Sequence, residues 1–255
     1  MTHRILILGG TTEARQLAAK LAVRADLDIT LSMAGRTENP VEQPVPVRVG
    51  GFGGAEGLAD WLGEKKIDLL IDATHPYAAR ISANAAEAAR ISGVPILALR
   101  RPAWEPVAGD NWTLVDDADE AVAALGANPR RVFLALGRQE VAAFATAPQH
   151  AYVIRSVDPI EPPLGVPDAA YILSRGPFAE ADERALLEAQ KIDAIVSKNS
   201  GGQATYGKIA AARELGIAVI LFRRPELPDV PSAPTVAALL AMVDHQLAPA
   251  EKRGV

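Results

Sequence analysis

Gly93-Val94-Pro95-Ile96-Leu97-Ala98-Leu99-Arg100-Arg101-Pro102 returns 123 residues later as Gly216-Ile217-Ala218-Val219-Ile220-Leu221-Phe222-Arg223-Arg224-Pro225. Each copy is a turn glycine, an apolar run of strand length and an Arg-Arg-Pro stop. Working outward, Lys66-Ile67-Asp68-Leu69-Leu70-Ile71 returns as Lys191-Ile192-Asp193-Ala194-Ile195-Val196 at an offset of 125. An Ala-rich stretch of helical period lies before each copy. More loosely, Arg4–Gly9 resembles Arg131–Gly137, each a strand that runs into glycine ahead of a helix with an early acid, Glu13 or Glu140. The elements recur in the same order, which points to a duplicated architecture.

The rest of the chain fits that grammar. Short β-branched or Leu-rich runs alternate with Ala-rich helical stretches, the pattern of a parallel α/β protein. Strands are expected near 4–8, 28–32, 45–49, 68–71, 95–99, 131–136, 151–155, 169–173, 193–196 and 218–222. Helices are expected near 12–24, 55–65, 78–92, 117–125, 139–145, 179–190, 204–215 and 235–247. The expected fold is two Rossmann-like, doubly wound parallel-sheet halves facing a cleft, residues 1–105 and 106–255, with Arg101–Asp110 as linker. Ligands of such sheets bind outside the carboxyl ends of the strands, so the residues just after each strand carry the chemistry.

Composition removes several function classes. The 255 residues include no cysteine, which excludes disulfides, thiolate nucleophiles and cysteine-held metal centres. The four histidines, His3, His75, His150 and His245, lack metal-ligand spacing, so no metal is expected. A net charge of −5 with 5% aromatics and no basic run is a poor match to nucleic acid. The apolar runs are too short to span a bilayer, and a cytoplasmic protein is expected. Tyr-x-x-x-Lys, Gly-x-Ser-x-Gly and Walker patterns are absent.

At the first strand end, Gly9-Gly10-Thr11-Thr12-Glu13 allows a sharp turn, close approach of backbone to a phosphate, and a Thr cap on the following helix. The second strand leads to Ser32, Gly35 and Arg36. An acid usually holds the ribose hydroxyls of NAD there, whereas an arginine suits the 2′-phosphate of NADP. Gly50-Gly51-Phe52-Gly53-Gly54 reads equally as a close-approach loop with Phe52 as an adenine platform, or as a surface loop. Asp72-Ala73-Thr74-His75-Pro76-Tyr77 ends the fourth strand. His75 is the one histidine at a strand's carboxyl end, placed for cofactor contact or proton donation, or simply for capping. In the second half, Arg138 and the stretch Lys198-Asn199-Ser200-Gly201-Gly202, followed by Tyr206 and Lys208, gather cations, hydroxyls and flexible backbone suited to a polyanion.

These blocks resemble the precorrin-6A reductase family of cobalamin biosynthesis, of the CobK/CbiJ type. The likeness rests on Leu8–Arg15, on Asp72–Ala78 with Ser82 and Asn84, on Lys198–Gly202 with Lys208, and on Arg101-Pro102-x-Trp104. Two departures stand out: Ala14, where members often carry glycine, and Gln203-Ala204-Thr205, where many have a further glycine-rich turn. The resemblance implies an NADPH-dependent oxidoreductase that reduces a ring double bond of precorrin-6A to give precorrin-6B. It also implies a polycarboxylate macrocycle as partner and transient contact with neighbouring enzymes of the route. Other readings of two paired Rossmann-like halves are a nucleotide-sugar transferase and a non-catalytic dinucleotide sensor.

Overall fold

The computed structural model describes residues 2–35 and 41–248. In chain order the elements are β1 (His3–Leu8), α1 (Thr12–Ala22), β2 (Leu27–Met33), β3 (Val47–Val49), α2 (Ala55–Glu64), β4 (Leu69–Asp72), α3 (Ala79–Ser92) and β5 (Ile96–Leu99). There follow β6 (Trp112–Val115), α4 (Ala118–Leu125), β7 (Arg131–Ala135), α5 (Arg138–Val141), β8 (Ala151–Ser156) and β9 (Ala169–Leu173). The chain ends with α6 (Glu180–Ala189), β10 (Ala194–Lys198), α7 (Gly207–Leu215), β11 (Ala218–Phe222), β12 (Ser232–Ala233) and α8 (Val236–Leu247).

Two six-stranded sheets form, with orders β12-β5-β4-β1-β2-β3 and β6-β11-β10-β7-β8-β9, and every pairing is parallel. The two orders superimpose strand for strand, as expected for a duplicated, doubly wound α/β architecture. The repeat extends to single bonds. Arg4 N–H donates to Asp68 Oδ2 at 2.8 Å and Arg131 N–H to Asp193 Oδ2 at 2.8 Å. Arg100 N–H donates to Ala233 O, and Arg223 N–H to Val115 O, both at 2.8 Å. Lys66 and Lys191 both take the left-handed conformation, with φ of 52° and 50°. Each lies in the tight turn that feeds the fourth strand of its sheet.

The chain divides into one unit of Met1–Pro102 joined by the segment that begins at Pro225, and a second unit of Ala103–Arg224. The expected boundary, which left 106–255 in one half, is corrected for this closing segment. The physical reason is edge pairing: Ser232 and Ala233 pair with Ala98 and Leu99 of β5, so the first sheet takes its sixth strand from the end of the chain. In return, the strand that follows β5 joins β11 in the second sheet. Both crossings fall at the repeated Arg-Arg-Pro. Strands β6 and β12 were not expected from the sequence. Both lie at sheet edges, and β12 has two residues.

The first unit buries Ile5, Ile7, Leu17, Leu21, Leu69 and Ile71 with Leu239 and Val243 of α8 on one sheet face, and Leu6, Leu58, Leu62 and Leu70 on the other. In the second unit Phe133, Ile195, Ile209, Val219 and Leu221 pack with Trp104. These cores fix the carboxyl ends of β1, β2 and β4, and of β7, β8 and β10, where the candidate residues lie.

Candidate functional sites at the strand ends

In the first unit β1 runs into Gly9, whose added Cβ would meet Leu31 Cδ1 at 2.6 Å, so a side chain there would displace the buried Leu31 side chain. Gly10 follows at φ +113°, a conformation that favours glycine, with open space where a Cβ would stand. Thr11 caps α1: its Oγ1 accepts from Ala14 N–H and donates to Ala73 O, both at 3.0 Å. The first turn of α1, with Thr12 exposed, presents backbone N–H groups that have no acceptor within the helix. Glu13 in the same turn is held by Arg101, with Nη1 and Oε2 2.5 Å apart, which neutralises its carboxylate beside a would-be anion.

The fourth strand ends in a buried lock. Asp72 is fully buried; its Oδ2 accepts from Arg100 Nη2 at 2.6 Å, and its Oδ1 from Thr74 N–H and Oγ1–H at 3.1 and 2.6 Å. Burial alone would raise its carboxyl, but the Arg100 charge and hydrogen bonds from Arg100, Ser82 and Thr74 outweigh that, and the group is lowered. Asp72 and Thr74, expected as cofactor contacts, therefore act first on each other and on the loop that carries His75 and Tyr77. Tyr77 N–H donates to His75 Nδ1 at 3.3 Å, which leaves the proton of the neutral ring on Nε2. The two rings lie 5.7 Å apart.

At the ends of β2 and β3, Ser32 is buried and Gly35 takes φ +71° against Val49. Sequence reasoning missed the centre of this corner. Arg48 of β3 donates to the carbonyls of Gly50 and Gly51 at 2.6 and 2.7 Å and approaches Ser32 Oγ at 3.5 Å. Its guanidinium carbon lies 3.7 Å from the centre of the Phe52 ring, so one face of Phe52 is covered. Arg36, expected to recognise a 2′-phosphate, lies outside the described residues. The signal for Arg48 was a cation inside a short strand directly ahead of four glycines.

In the second unit the turn after β7 offers Gly137 and Arg138, both exposed. The helix there is only Arg138–Val141 and then tightens into a 3₁₀ turn. Lys198 Nζ sits 2.5 Å from Glu140 Oε1, and Ser200 N–H donates to Lys198 O. Gly201 and Gly202 have φ of +66° and +70°.

Asn199 departs from its expected place among substrate contacts. Its side chain takes both backbone groups of Trp104, accepting from N–H at 2.8 Å and donating to O at 2.9 Å. Trp104 Nε1–H donates to Gly202 O at 2.8 Å, and Arg224 Nε–H to Asn199 O at 2.8 Å. Trp104 and Arg224 thus clamp the loop. Lys208 also departs from expectation. It is 3% exposed, in a helix whose residues Gly207–Ala212 are all buried, and donates to Thr205 O at 2.8 Å. Burial, helped by the charge of Arg155 and opposed by Glu183, lowers its ammonium to about 7. Tyr206 accepts from Arg213 Nη2 at 2.6 Å.

Among the described residues no group of three or more His, Asp or Glu is arranged to hold a metal ion, and no helix is long and apolar enough to cross a membrane. A family model described as precorrin-6x reductase CbiJ/CobK matches residues 4–244. A precorrin-6A reductase of Sinorhizobium sp is 61% identical over 97% of this chain and 95% of its own. One of Rhodobacter capsulatus is 47% identical over 99% of both. The solved structure titled CobK precorrin-6A reductase matches with TM-score 0.92 and 46% identity, over 97% of this chain and 98% of that one.

Proposed function

The chain belongs to the precorrin-6x reductase CbiJ/CobK family, and from that premise we propose that it reduces a ring double bond of precorrin-6A to give precorrin-6B with NADPH as reductant. The observation that carries this reading is the match of nearly the whole chain to relatives at 61% and 47% identity whose names carry that activity.

The residues of the first unit fit a dinucleotide. Gly10 lets backbone approach a pyrophosphate, Thr11 sets the helix end, and the first-turn N–H groups of α1 face an anion. The equivalent turn in the second unit leads into a helix of four residues, which lacks a comparable dipole. The first unit is therefore the reading for the cofactor, through Gly9, Gly10, Thr11, Thr12, Glu13, Ser32, Gly35, Gly51, Phe52, Thr74, His75 and Tyr77. Bound there, NADPH supplies hydride. The His75 Nε2–H would donate a hydrogen bond to it as a contact, and water would supply the proton that completes reduction of the double bond.

Arg138, Lys198, Ser200, Gly201, Gly202 and Tyr206 are assigned to the acetate and propionate carboxylates of the macrocycle. Lys198 would share its ammonium between Glu140 and a carboxylate. Asn199 shapes this loop by clamping Trp104.

The test mixes protein, NADPH and precorrin-6A and follows nicotinamide absorbance and the macrocycle spectrum together. Coupled, equimolar change in both is expected. Dinucleotide binding without any change in the macrocycle would leave a sensor and refute the reductase.

A further inference from the structure

Arg48 is an arginine that pairs with no carboxylate among the described residues. Thr30, Leu31 and Ser32 lead β2 to its carboxyl end, and the β2–β3 pairing sets Ser32 opposite Arg48. Its guanidinium is half-buried, stacked 3.7 Å from the Phe52 ring centre, with Trp61 edge-on to the same ring. Among the described residues no carboxylate pairs with it, and burial lowers its pKa. Its acceptors are the carbonyls of Gly50 and Gly51 and the Ser32 hydroxyl. An arginine has five N–H donors. Two on Nη1 and one on Nη2 are used by these acceptors, leaving the Nε–H and the second Nη2 hydrogen. Those two form the side-on fork that takes two oxygens of one phosphate.

Resting on the dinucleotide reading above, we propose that Arg48, backed by Ser32 and Phe52, binds the 2′-phosphate of the cofactor's adenosine and sets the preference for NADPH over NADH. The place is right: in an open parallel sheet wound this way, the end of the second strand meets the adenosine ribose. The charge is right, since a phosphate would supply the missing counter-ion. Phe52 holds the guanidinium plane rigid, so little side-chain freedom is lost on binding. The exposed Gly51 beside it leaves the approach open. Arg36, three residues past the end of β2 in sequence, then contributes less than Arg48.

Dissociation constants for NADPH, NADH, 2′,5′-ADP and 5′-AMP, measured by calorimetry on the full chain, test the assignment. Arg48→Met is expected to weaken NADPH and 2′,5′-ADP about 10- to 100-fold, with NADH and 5′-AMP changed less than about 3-fold. Arg48→Lys keeps the charge without the fork and should fall between, and Arg36→Ala should have the smaller selective effect. Equal loss for all four ligands in both Arg48 variants would make Arg48 a support of the glycine loop and overturn the proposal. So would a wild-type preference for NADPH that survives Arg48→Met. A wild-type protein that binds neither dinucleotide would overturn the cofactor reading itself.

Discussion

Replacing Asp72 by alanine tests how the first unit holds its strand ends. The carboxylate is fully buried and accepts from the Arg100 guanidinium, the Thr74 amide and the Thr74 hydroxyl at 2.6–3.1 Å, with Ser82 as a further donor. Removing it leaves Arg100, whose side chain is 20% exposed, without its counter-ion, and the Thr74 N–H without its acceptor. Breaking a buried pair from one side costs about 3–5 kcal/mol. For a 255-residue chain of ordinary stability, that is a large share of the total. Urea unfolding at neutral pH is the assay, with the double-mutant cycle Asp72→Ala, Arg100→Met and both together. The double variant should cost clearly less than the two singles added, because no unpaired charge remains. The pH dependence has a definite sign. The folded pKa of Asp72 is lowered, so its contribution is present above the unfolded value of 3.8 and is lost as pH falls through the folded value. Asp72→Ala should therefore narrow its gap to wild type in acid. A loss below about 1 kcal/mol at pH 7, or strict additivity in the cycle, would refute the lock.

Lys208 gives the opposite case. Its folded ammonium is lowered to about 7 from the ordinary lysine value of 10.5, so the unfolded chain binds more protons between those values and wild-type stability should rise with pH across that window. Lys208→Met should remove this component of the rise and stabilise at pH 7 by about 1–4 kcal/mol, read by denaturant titration at several pH values. Two glycines of α2 separate packing from backbone effects. Gly57→Ala would put a Cβ 1.9 Å from Phe52 O and should destabilise by about 1–3 kcal/mol, with weaker dinucleotide binding as the glycine loop shifts. Gly63→Ala meets nothing within 4 Å and should stabilise by about 0.5–1 kcal/mol, as thermal melts would record.

The duplication was legible because its letters are local. Lys66-Ile67-Asp68 and Lys191-Ile192-Asp193 each encode one turn and one aspartate bonded back to the first strand of its sheet. Edge strands leave no such mark: β6 is half-exposed along Trp112–Leu114 and β12 pairs two residues. Nothing in a window of sequence states that residues past Pro225 rejoin the first sheet. Polar residues at strand ends are the natural ligand contacts of such sheets, yet a sequence does not say which of them spend their hydrogen bonds inside the fold. Asn199 matches the N–H and C=O of Trp104, 95 positions away. Lys208 sits in the buried stretch Gly207–Ala212 of its helix, and the run Ile209-Ala210-Ala211-Ala212 beside it was the available sign. Arg48 reached the site by pairing with β2 rather than by following it.

The differences between the copies then bear on the proposed division of cofactor and substrate between the units. Position for position, Gly10 corresponds to Gly137 and Glu13 to Glu140, and each acid is paired with a cation, Arg101 or Lys198. After Gly10 comes a capped helix of eleven residues; after Gly137 comes one of four. At the end of the fourth strand, Asp72 of the first sheet is replaced by Ser197 in the second, and Arg223, the counterpart of Arg100, pairs instead with Asp116. Where the first sheet has Ser32 beside an Arg48 that pairs with no carboxylate among the described residues, the second has Arg155 balanced by Glu183 with two hydrogen bonds. The second unit thus has a shorter helix after β7 than the first has after β1, and an ion pair where the first has Ser32. Arg138, Lys198 and Ser200 lie at its strand ends, a set with charge but no single phosphate cradle. Several carboxylates spread around a ring suit that arrangement better than one pyrophosphate does, which is why the dinucleotide is assigned to the first unit and the macrocycle's carboxylates to the second.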